Sequence, residues 1–250
     1  MIATMHSHWF LPVKFPLAWS EFRKLPRHPA YRFEYRRGHL QITGRPEYAH
    51  CTLPTSSTGE NAPSPNGSIR ILKWNEFDSR ARCDELFKLF AAATARTLPY
   101  SILTPARREQ AAVDLIGEAL DGYDGPIIPT ASQIAVDAAT GNLVAAILMT
   151  LVAPGSWTDF TDPNWAQTPP ADPIASRWGQ PHLTWVFVSP DRQRRGLGQQ
   201  LLTNARLALE TLGYPALAST FLLGDHGSML WHWKQGFELL PGLRSLSPRL

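Results

Sequence analysis

A continuous apolar run near the middle of the chain places the strongest limit on its fold. Residues 143–149 are apolar at every position, a pattern typical of a strand that is buried on both faces of a sheet. The apolar stretch around this run, residues 142–153, has about a dozen residues, whereas a membrane-spanning helix needs about 20. The run therefore predicts the centre of a sheet and argues against a membrane protein.

Strand-like and helix-like segments alternate on both sides of this run. The patterns predict strands at 69–74, 133–137, 143–152, 182–188, 215–223 and 237–240, and helices at 78–95, 104–120, 196–212 and 228–235. The turn-forming residues 139–142 indicate that the two strands they join are antiparallel neighbours. We therefore expect residues 69–250 to form an α/β domain.

The N-terminal part of the chain has a different pattern. Residues 31–36 and 39–43 alternate aromatic or β-branched with charged side chains around Arg37-Gly38, which predicts a β-hairpin. A short helix is expected within 16–25. Residues 52–68 are turn formers and predict a linker or surface loop. The chain is thus divided into an N-terminal extension with a hairpin (1–51), a linker or loop (52–68) and the main domain (69–250). A lone hairpin is marginally stable, so we expect it to pack on that domain.

The composition is typical of a folded protein, and it does not indicate a strongly charged partner such as nucleic acid. Of the 250 residues, 44% are hydrophobic and 18% are charged, which excludes a wholly disordered chain. The formal net charge of +3 is small and spread along the sequence, which argues against nucleic acid as a partner. Two cysteines cannot form a disulfide framework, residues 1–20 have no secretion pattern, and no metal-ligand spacing occurs. These features predict a cytoplasmic protein without a metal site.

The segment 189–198 lies between a predicted strand and a predicted helix. Gly196 and Gly198 allow close approach of a ligand to the backbone, and the helix start offers N–H groups and a positive dipole end, which together suit a phosphate or pyrophosphate. The dinucleotide-binding and P-loop patterns both fail on spacing. An ordinary strand-to-helix turn with solvated arginines remains the alternative.

The same segment resembles a known family. Gln193-Arg194-Arg195-Gly196-Leu197-Gly198 is similar to the Q/R-x-x-G-x-G/A motif of the GCN5-related N-acetyltransferases, and Gly236-Phe237 resembles the Gly-Phe after that family's last helix. The resemblance covers 182–240. It implies a fold with a central mixed, mostly antiparallel sheet flanked by helices, here with an N-terminal β-hairpin extension.

The resemblance implies that acetyl-CoA donates an acetyl group to a primary amine of a small molecule or a protein, with CoA as product. A non-catalytic acetyl-CoA-binding regulatory module is the alternative. The strand before the motif is expected to separate from its neighbour at a bulge and to pair with the pantetheine arm. The expected cofactor contacts are Phe187, Val188, Gln193, Arg194, Arg195, Gly196, Leu197, Gly198, Asp225 and Ser228. Asp225 stands where the family often has asparagine, and the adjacent His226 is a further candidate for this contact.

Two histidines are the candidate catalytic residues. His232 stands where the family often places a tyrosine that protonates the leaving thiolate, and histidine can donate a proton near neutral pH. His182 begins the strand before the motif and is a candidate base; alternation places it on one face with Thr184, Val186 and Val188. Packing or surface roles remain open for both histidines. Glu34 in the hairpin is a weaker base candidate.

The surroundings of the site lead to two further expectations. The long segment 154–180 contains acidic and aromatic residues, which suit a cationic or amphipathic amine, although a solvated cover loop fits the pattern equally. The family ends on a two-stranded hairpin, and too little sequence follows residue 237 to form it. The seventh strand is therefore expected to be short, missing, or supplied by the N-terminal hairpin or by a partner chain in a homodimer.

Overall fold

The computed structural model describes residues 13–25, 31–44, 48–56, 67–79, 81–223 and 225–240, and their strands form two sheets. The smaller sheet contains β1 (Val13–Pro16), β2 (Tyr31–Arg36) and β3 (His39–Gly44), with helix α1 (Trp19–Phe22) after β1. The predicted hairpin is confirmed. Arg37 and Gly38 both have positive φ (49° and 79°), as a two-residue turn between twisted strands requires. Strand β1, which pairs with β3, was not predicted.

The larger sheet has seven strands. They are β4 (Tyr48–Pro54), β5 (Ile69–Lys73), β6 (Gln133–Asp137), β7 (Leu143–Val152), β8 (Gln180–Val188), β9 (Ala216–Leu222) and β10 (Glu238–Leu239). Their order is β10-β4-β9-β8-β7-β6-β5, and every pair is antiparallel except β8 with β9. The predicted mixed, mostly antiparallel sheet is therefore confirmed.

Four helices accompany this sheet: α2 (Cys83–Ala93), α3 (Pro105–Leu120), α4 (Leu197–Thr211) and α5 (His226–Lys234). Among the starts of these four helices, the start of α3 is the one that the local sequence specifies best. Thr104 accepts a hydrogen bond from the N–H of Arg107 (3.4 Å), and Pro105 occupies the first helical position, where no donor is needed. Helix α2 begins five residues later than predicted, at Cys83 rather than 78. None of the helices in the described ranges is both long and apolar enough to cross a bilayer.

The helices form layers on both faces of the sheet. Helices α2 and α3 pack on one face against Leu148 of β7 and Phe187 of β8, and we call this the α2/α3 face. Helices α4 and α5 pack on the other, the α4/α5 face, against Met149 and Leu183. Every residue of β7 is buried, which confirms the strand predicted from the apolar run.

Strand β4 completes the sheet from an unexpected part of the chain. It pairs along the whole length of β9 and holds the short β10 at its other side. The predicted limits of the extension (1–51) and the linker (52–68) meet inside this strand. The seventh strand of the sheet is thus supplied neither by the N-terminal hairpin nor by a partner chain, but by a strand that follows the hairpin and lies between β9 and β10. Cys51 of β4 is buried, and burial raises the pKa of its thiol to about 12.

Candidate active site

The parallel strands β8 and β9 separate to form a cleft. Their pairing consists of His182 with Ala218 and Leu183 with Ser219, although β8 continues to Val188 and β9 to Leu222. Beyond the vertex, where Leu183 and Ser219 form the last pair, the facing edges of the two strands have no strand partner among the described residues. A cleft of this kind exposes backbone donors and acceptors on both of its walls.

A β-bulge in β8 lies at the vertex. Opposite β7, the register shifts between Leu148, which faces Trp185, and Met149, which faces Leu183, so Thr184 is the extra residue. The predicted bulge is therefore present, but the predicted common face is wrong. His182 and Thr184 lie on the α2/α3 face, whereas Val186 and Val188 pack on the α4/α5 face, because the extra residue reverses the alternation.

The loop 189–196 and the start of α4 lie at the open end of the cleft. Arg194 and Gly196 have positive φ (61° and 81°), which turns successive N–H groups towards one side, an arrangement that binds anions. Within the described part of the chain, the backbone N–H groups of residues 194–198 have no hydrogen-bond acceptor. A Cβ on Gly196 would meet no atom within 4 Å. The predicted phosphate loop thus offers free donors and open space.

The side chains of this loop differ in their contacts and in their exposure. Gln193 donates its amide N–H to the carbonyl of Val188 (3.0 Å), which ties the loop to the end of β8. Arg192 forms an ion pair with Asp137 (2.7 Å) at the turn after β6. Arg194 and Arg195 are exposed at the rim, and Leu197, the first residue of α4, is buried. Positive charge at the rim and a fixed backbone are the two features that a pyrophosphate site needs.

The other predicted cofactor contacts lie on or near the two walls of the cleft. Phe187 points its ring at Phe90 of α2 (5.4 Å), so what it offers to the cleft is backbone. Gly198 lies against Val188 and the indole of Trp231, each 3.6 Å from a Cβ built on the glycine. Asp225 caps α5 by accepting from the N–H groups of Gly227 and Ser228 (3.1 and 3.3 Å), so it acts first as a helix cap.

His232 is enclosed on the α4/α5 side of the vertex. It is 6% exposed, between Phe221, Trp231 and Phe237. Its Nδ1–H donates to the carbonyl of Ser228 (2.8 Å), so its Nε2 accepts from the hydroxyl of Ser219 (2.9 Å). Burial lowers its pKa, against smaller opposing effects of the Ser228 hydrogen bond and the Asp225 charge. The imidazole is therefore neutral, and Ser219 separates it from the cleft.

His182 is buried on the opposite face of the sheet, at the same vertex. Its Nδ1 is 3.1 Å from the hydroxyl of Thr184 and its Nε2 is 3.1 Å from the hydroxyl of Thr220. Thr184 also bonds to Thr150 (2.8 Å), and Thr220 to Nδ1 of His50 (3.1 Å). We call Thr150, Thr184, His182, Thr220 and His50 the hydroxyl–imidazole row.

Three members of the row were missed from the sequence. Thr150, Thr220 and His50 belong to strands that are far apart in the chain and become neighbours only through the sheet order. The remaining candidates lie elsewhere. Glu34 is in the smaller sheet and pairs with Arg36 (3.3 Å), and His226 is exposed at the start of α5. The structure thus brings His182 and His232 to one vertex and leaves Glu34 and His226 outside it.

The segment 154–180 covers the row on the α2/α3 face. Trp157 stacks on His182 (6.2 Å between centroids, 16° between planes) and contacts His50 (5.4 Å), while its indole N–H donates to Gln180 (2.7 Å). The acidic groups serve the segment itself: Asp159 bonds to Thr161 and Asp162 caps a short turn. Aromatic rings rather than carboxylates therefore form the wall next to the histidines.

Comparisons with known proteins gave structural similarity only. No protein-family model matches the chain, and no curated protein matches it in sequence. Similar solved structures include a GCN5-related N-acetyltransferase from Sphaerobacter thermophilus (13% identity, TM-score 0.43), covering 78% of this chain and 50% of that one. Two further similar structures are likewise covered over 47% and 50% of their length, so the chain spans about half of these relatives.

Two similar structures are covered over most of their length. A PaiA N-acetyltransferase from Thermoplasma acidophilum in complex with coenzyme A has 15% identity and a TM-score of 0.47, over 68% of this chain and 90% of that one. A GNAT family acetyltransferase from Brucella melitensis in complex with acetyl-CoA has 20% identity and a TM-score of 0.43, over 71% and 92%. Acetyltransferases of the GCN5-related superfamily are thus among the structural neighbours of this chain.

Proposed function

We propose that this protein is an N-acetyltransferase that moves an acetyl group from acetyl-CoA to a primary amine. One observation carries the proposal: the cleft between β8 and β9 runs from a loop with five acceptor-free backbone N–H groups, residues 194–198, to a vertex flanked by two histidines. An anion site at one end and proton-transfer groups at the other suit a long phosphorylated donor and an acyl transfer.

The described residues fit CoA in two places. The N–H groups of 194–198 would hold the pyrophosphate, with Arg194 and Arg195 adding charge at the rim. The edge of β8 near Phe187 and Val188 has no strand partner among the described residues and would hold the pantetheine arm through backbone groups, although the Val188 carbonyl already accepts from Gln193. Acetyl-CoA, when bound, supplies a thioester whose acyl group can pass to an amine.

The chain's own residues would manage the protons. The amine must be neutral to attack and must lose a proton afterwards, and His182 lies beside the vertex with a hydroxyl on each nitrogen. The Ser219 hydroxyl lies at the vertex on the other face, but it donates its one proton to Nε2 of His232, so the proton for the leaving thiolate would come from water. Trp157 stacks on His182, and both Trp157 and Phe160 contact His50; such rings favour an amphipathic or cationic amine.

Calorimetric titration with acetyl-CoA and with CoA tests the donor site, and thiol release with a panel of amines tests transfer. Gly196→Trp is expected to abolish cofactor binding, since the side chain would fill the space beside the N–H groups. Gly122→Trp is the matched control: Gly122 has a similar φ (82°) and equally open surroundings, but lies after α3. Unchanged affinity of Gly196→Trp for acetyl-CoA would remove the pyrophosphate assignment.

A second candidate function is supported by the enclosed state of His232. Because both of its nitrogens are bonded within the protein, the position of the family's tyrosine presents no group directly to a ligand. That favours a regulatory module that binds acetyl-CoA without turnover. Micromolar binding without thiol release for any amine would support the module, and thiol release would support the enzyme.

A further inference from the structure

One hydroxyl group joins two buried histidines. Thr220 Oγ1 is 3.1 Å from His182 Nε2 and 3.1 Å from His50 Nδ1, and the two imidazoles are 2% and 5% exposed. A hydroxyl has one proton, so it can donate to only one of the two nitrogens, and the other must be an N–H that donates to it. The tautomers of His182 and His50 are therefore coupled through Thr220.

The coupling extends to the vertex of the cleft. Thr184 Oγ1 is 3.1 Å from His182 Nδ1 and 2.8 Å from Thr150 Oγ1. With neutral imidazoles, the hydrogen bonds of the hydroxyl–imidazole row can be arranged in two ways. Each group donates to its neighbour on the His50 side, or each group donates to its neighbour on the Thr150 side. Moving one proton along the row converts one direction into the other, which is the property of a proton relay.

The position of the row suits proton removal from a reacting amine. Thr184 is the half-buried bulge residue next to the vertex, whereas His50 lies two strands away on β4. The rings of Trp157 and Phe160 lie 5.4 Å from the His50 ring between centroids, and aromatic rings next to a cation attract its charge. A proton placed on His50 would be separated from the amine by two hydroxyls and one imidazole.

The geometry points to His50 as the residue that holds the proton released by the amine, with Thr184, His182 and Thr220 as the relay. This inference rests on the proposed acetyl transfer. The amine gives its proton to Thr184 Oγ while the Thr184 proton moves to His182 Nδ1. The Nε2 proton of His182 moves to Thr220 Oγ, and the Thr220 proton moves to His50 Nδ1. One proton enters and one positive charge results, on His50.

The first test needs no acetyl-CoA. Imidazole ¹⁵N spectra of the protein alone report the tautomer of His182, and His50→Phe is expected to shift them because Thr220 is then released to donate to His182. In the Thr220→Val background, His50→Phe is expected to leave the His182 signals unchanged. Thr52→Val is the matched control, since Thr52 lies on β4 and bonds to the Leu217 carbonyl outside the row. An equal His182 shift with and without the Thr220 hydroxyl would overturn the relay.

The second test separates the relay from the proposed function. In steady-state thiol release, His50→Phe and Thr220→Val are each expected to lower kcat about tenfold to a hundredfold with an unchanged KM for acetyl-CoA. Thr220→Ser is expected to restore kcat, and Thr52→Val to match the wild type. If both variants turn over at the wild-type rate, the relay is overturned, whereas the proposed acetyltransferase function still stands. A wild type without turnover would refute the acetyltransferase, and the ¹⁵N spectra would still decide whether the row transmits a proton.

Discussion

The two histidines at the vertex are buried to a similar extent, but they have different hydrogen-bond partners. His182 and His232 are 2% and 6% exposed and lie on opposite faces of one sheet. His232 bonds to Ser228 of its own helix and to Ser219, whose hydroxyl is also 3.4 Å from the carbonyl of Leu183. His182 bonds to Thr184 and Thr220, one on each wall of the cleft. Burial alone therefore does not distinguish the two histidines, whereas their partners do: His182 bonds to hydroxyls on both walls of the cleft, and His232 to a hydroxyl on one wall.

Removing the proton-transfer capacity of His182 is expected to have the largest effect. His182→Gln keeps a polar side chain of similar reach that does not titrate near neutral pH, so kcat for thiol release should fall about a hundredfold or more. Affinity for acetyl-CoA, measured by calorimetry, should stay at the wild-type value because the 194–198 loop is untouched. Turnover equal to wild type would remove His182 as the base and end the functional distinction between the two histidines.

His232→Phe is expected to act mainly on stability. The change removes two buried hydrogen bonds and leaves Ser219 without its imidazole partner, which should lower the free energy of unfolding by about 1–3 kcal/mol. Urea denaturation measures this loss, and thiol release at a temperature where the variant is folded measures activity. A drop in kcat larger than that of His182→Gln would reverse the comparison and make His232 the principal acid–base group.

The lowered pKa of His232 predicts a pH dependence of stability. Below its ordinary value of 6.5, the unfolded chain binds a proton that the buried imidazole does not. The free energy of unfolding should therefore fall as pH drops from about 7 through the lowered pKa of the folded state. In urea titrations, the stability difference between wild type and His232→Phe should be smaller at pH 5 than at pH 8. An equal difference at both pH values would contradict the shift.

The smallest expected effect comes from Asp225→Asn. Asparagine also caps helices, so α5 should persist, but the negative charge that raises the pKa of His232 would be lost. NMR titration should show a further decrease in the His232 pKa and no change at His182, which faces the other side of the sheet. Equal movement at both histidines would mean that the two faces are electrostatically connected.

Local signals in the sequence predicted most elements of the main domain. Thr104-Pro105 predicts the start of α3, and the apolar run predicts β7, because both signals lie within the element they specify. Strand β4 was divided between two predicted regions, since Thr52 and Pro54 read as turn formers and its partner β9 is far away in sequence. A strand that forms because it pairs with a distant segment cannot be recognised from its own residues alone.

The candidate site was predictable where a motif is contiguous. Residues 193–198 are contiguous at the turn into α4, and the N–H groups of 194–198 have no acceptor among the described residues, whereas the N–H of Gln193 bonds to Ser189. The alternation of β8 was predicted wrongly because nothing in the sequence marks Thr184 as a bulge residue. His50 and Thr220 could not be associated with His182 before the order of strands β4, β9 and β8 was known.

Placing β4 beside β9 has a consequence for how the protein is made. Cys51 and Ser219, which meet across these strands, are 168 residues apart. At the usual pace of a ribosome, roughly ten to thirty seconds separate their synthesis. During that time β4 has no partner for either edge, and contacts between such distant segments form slowly. The part of the sheet that contains β4, and with it the hydroxyl–imidazole row, is therefore expected to assemble only after translation has passed β9.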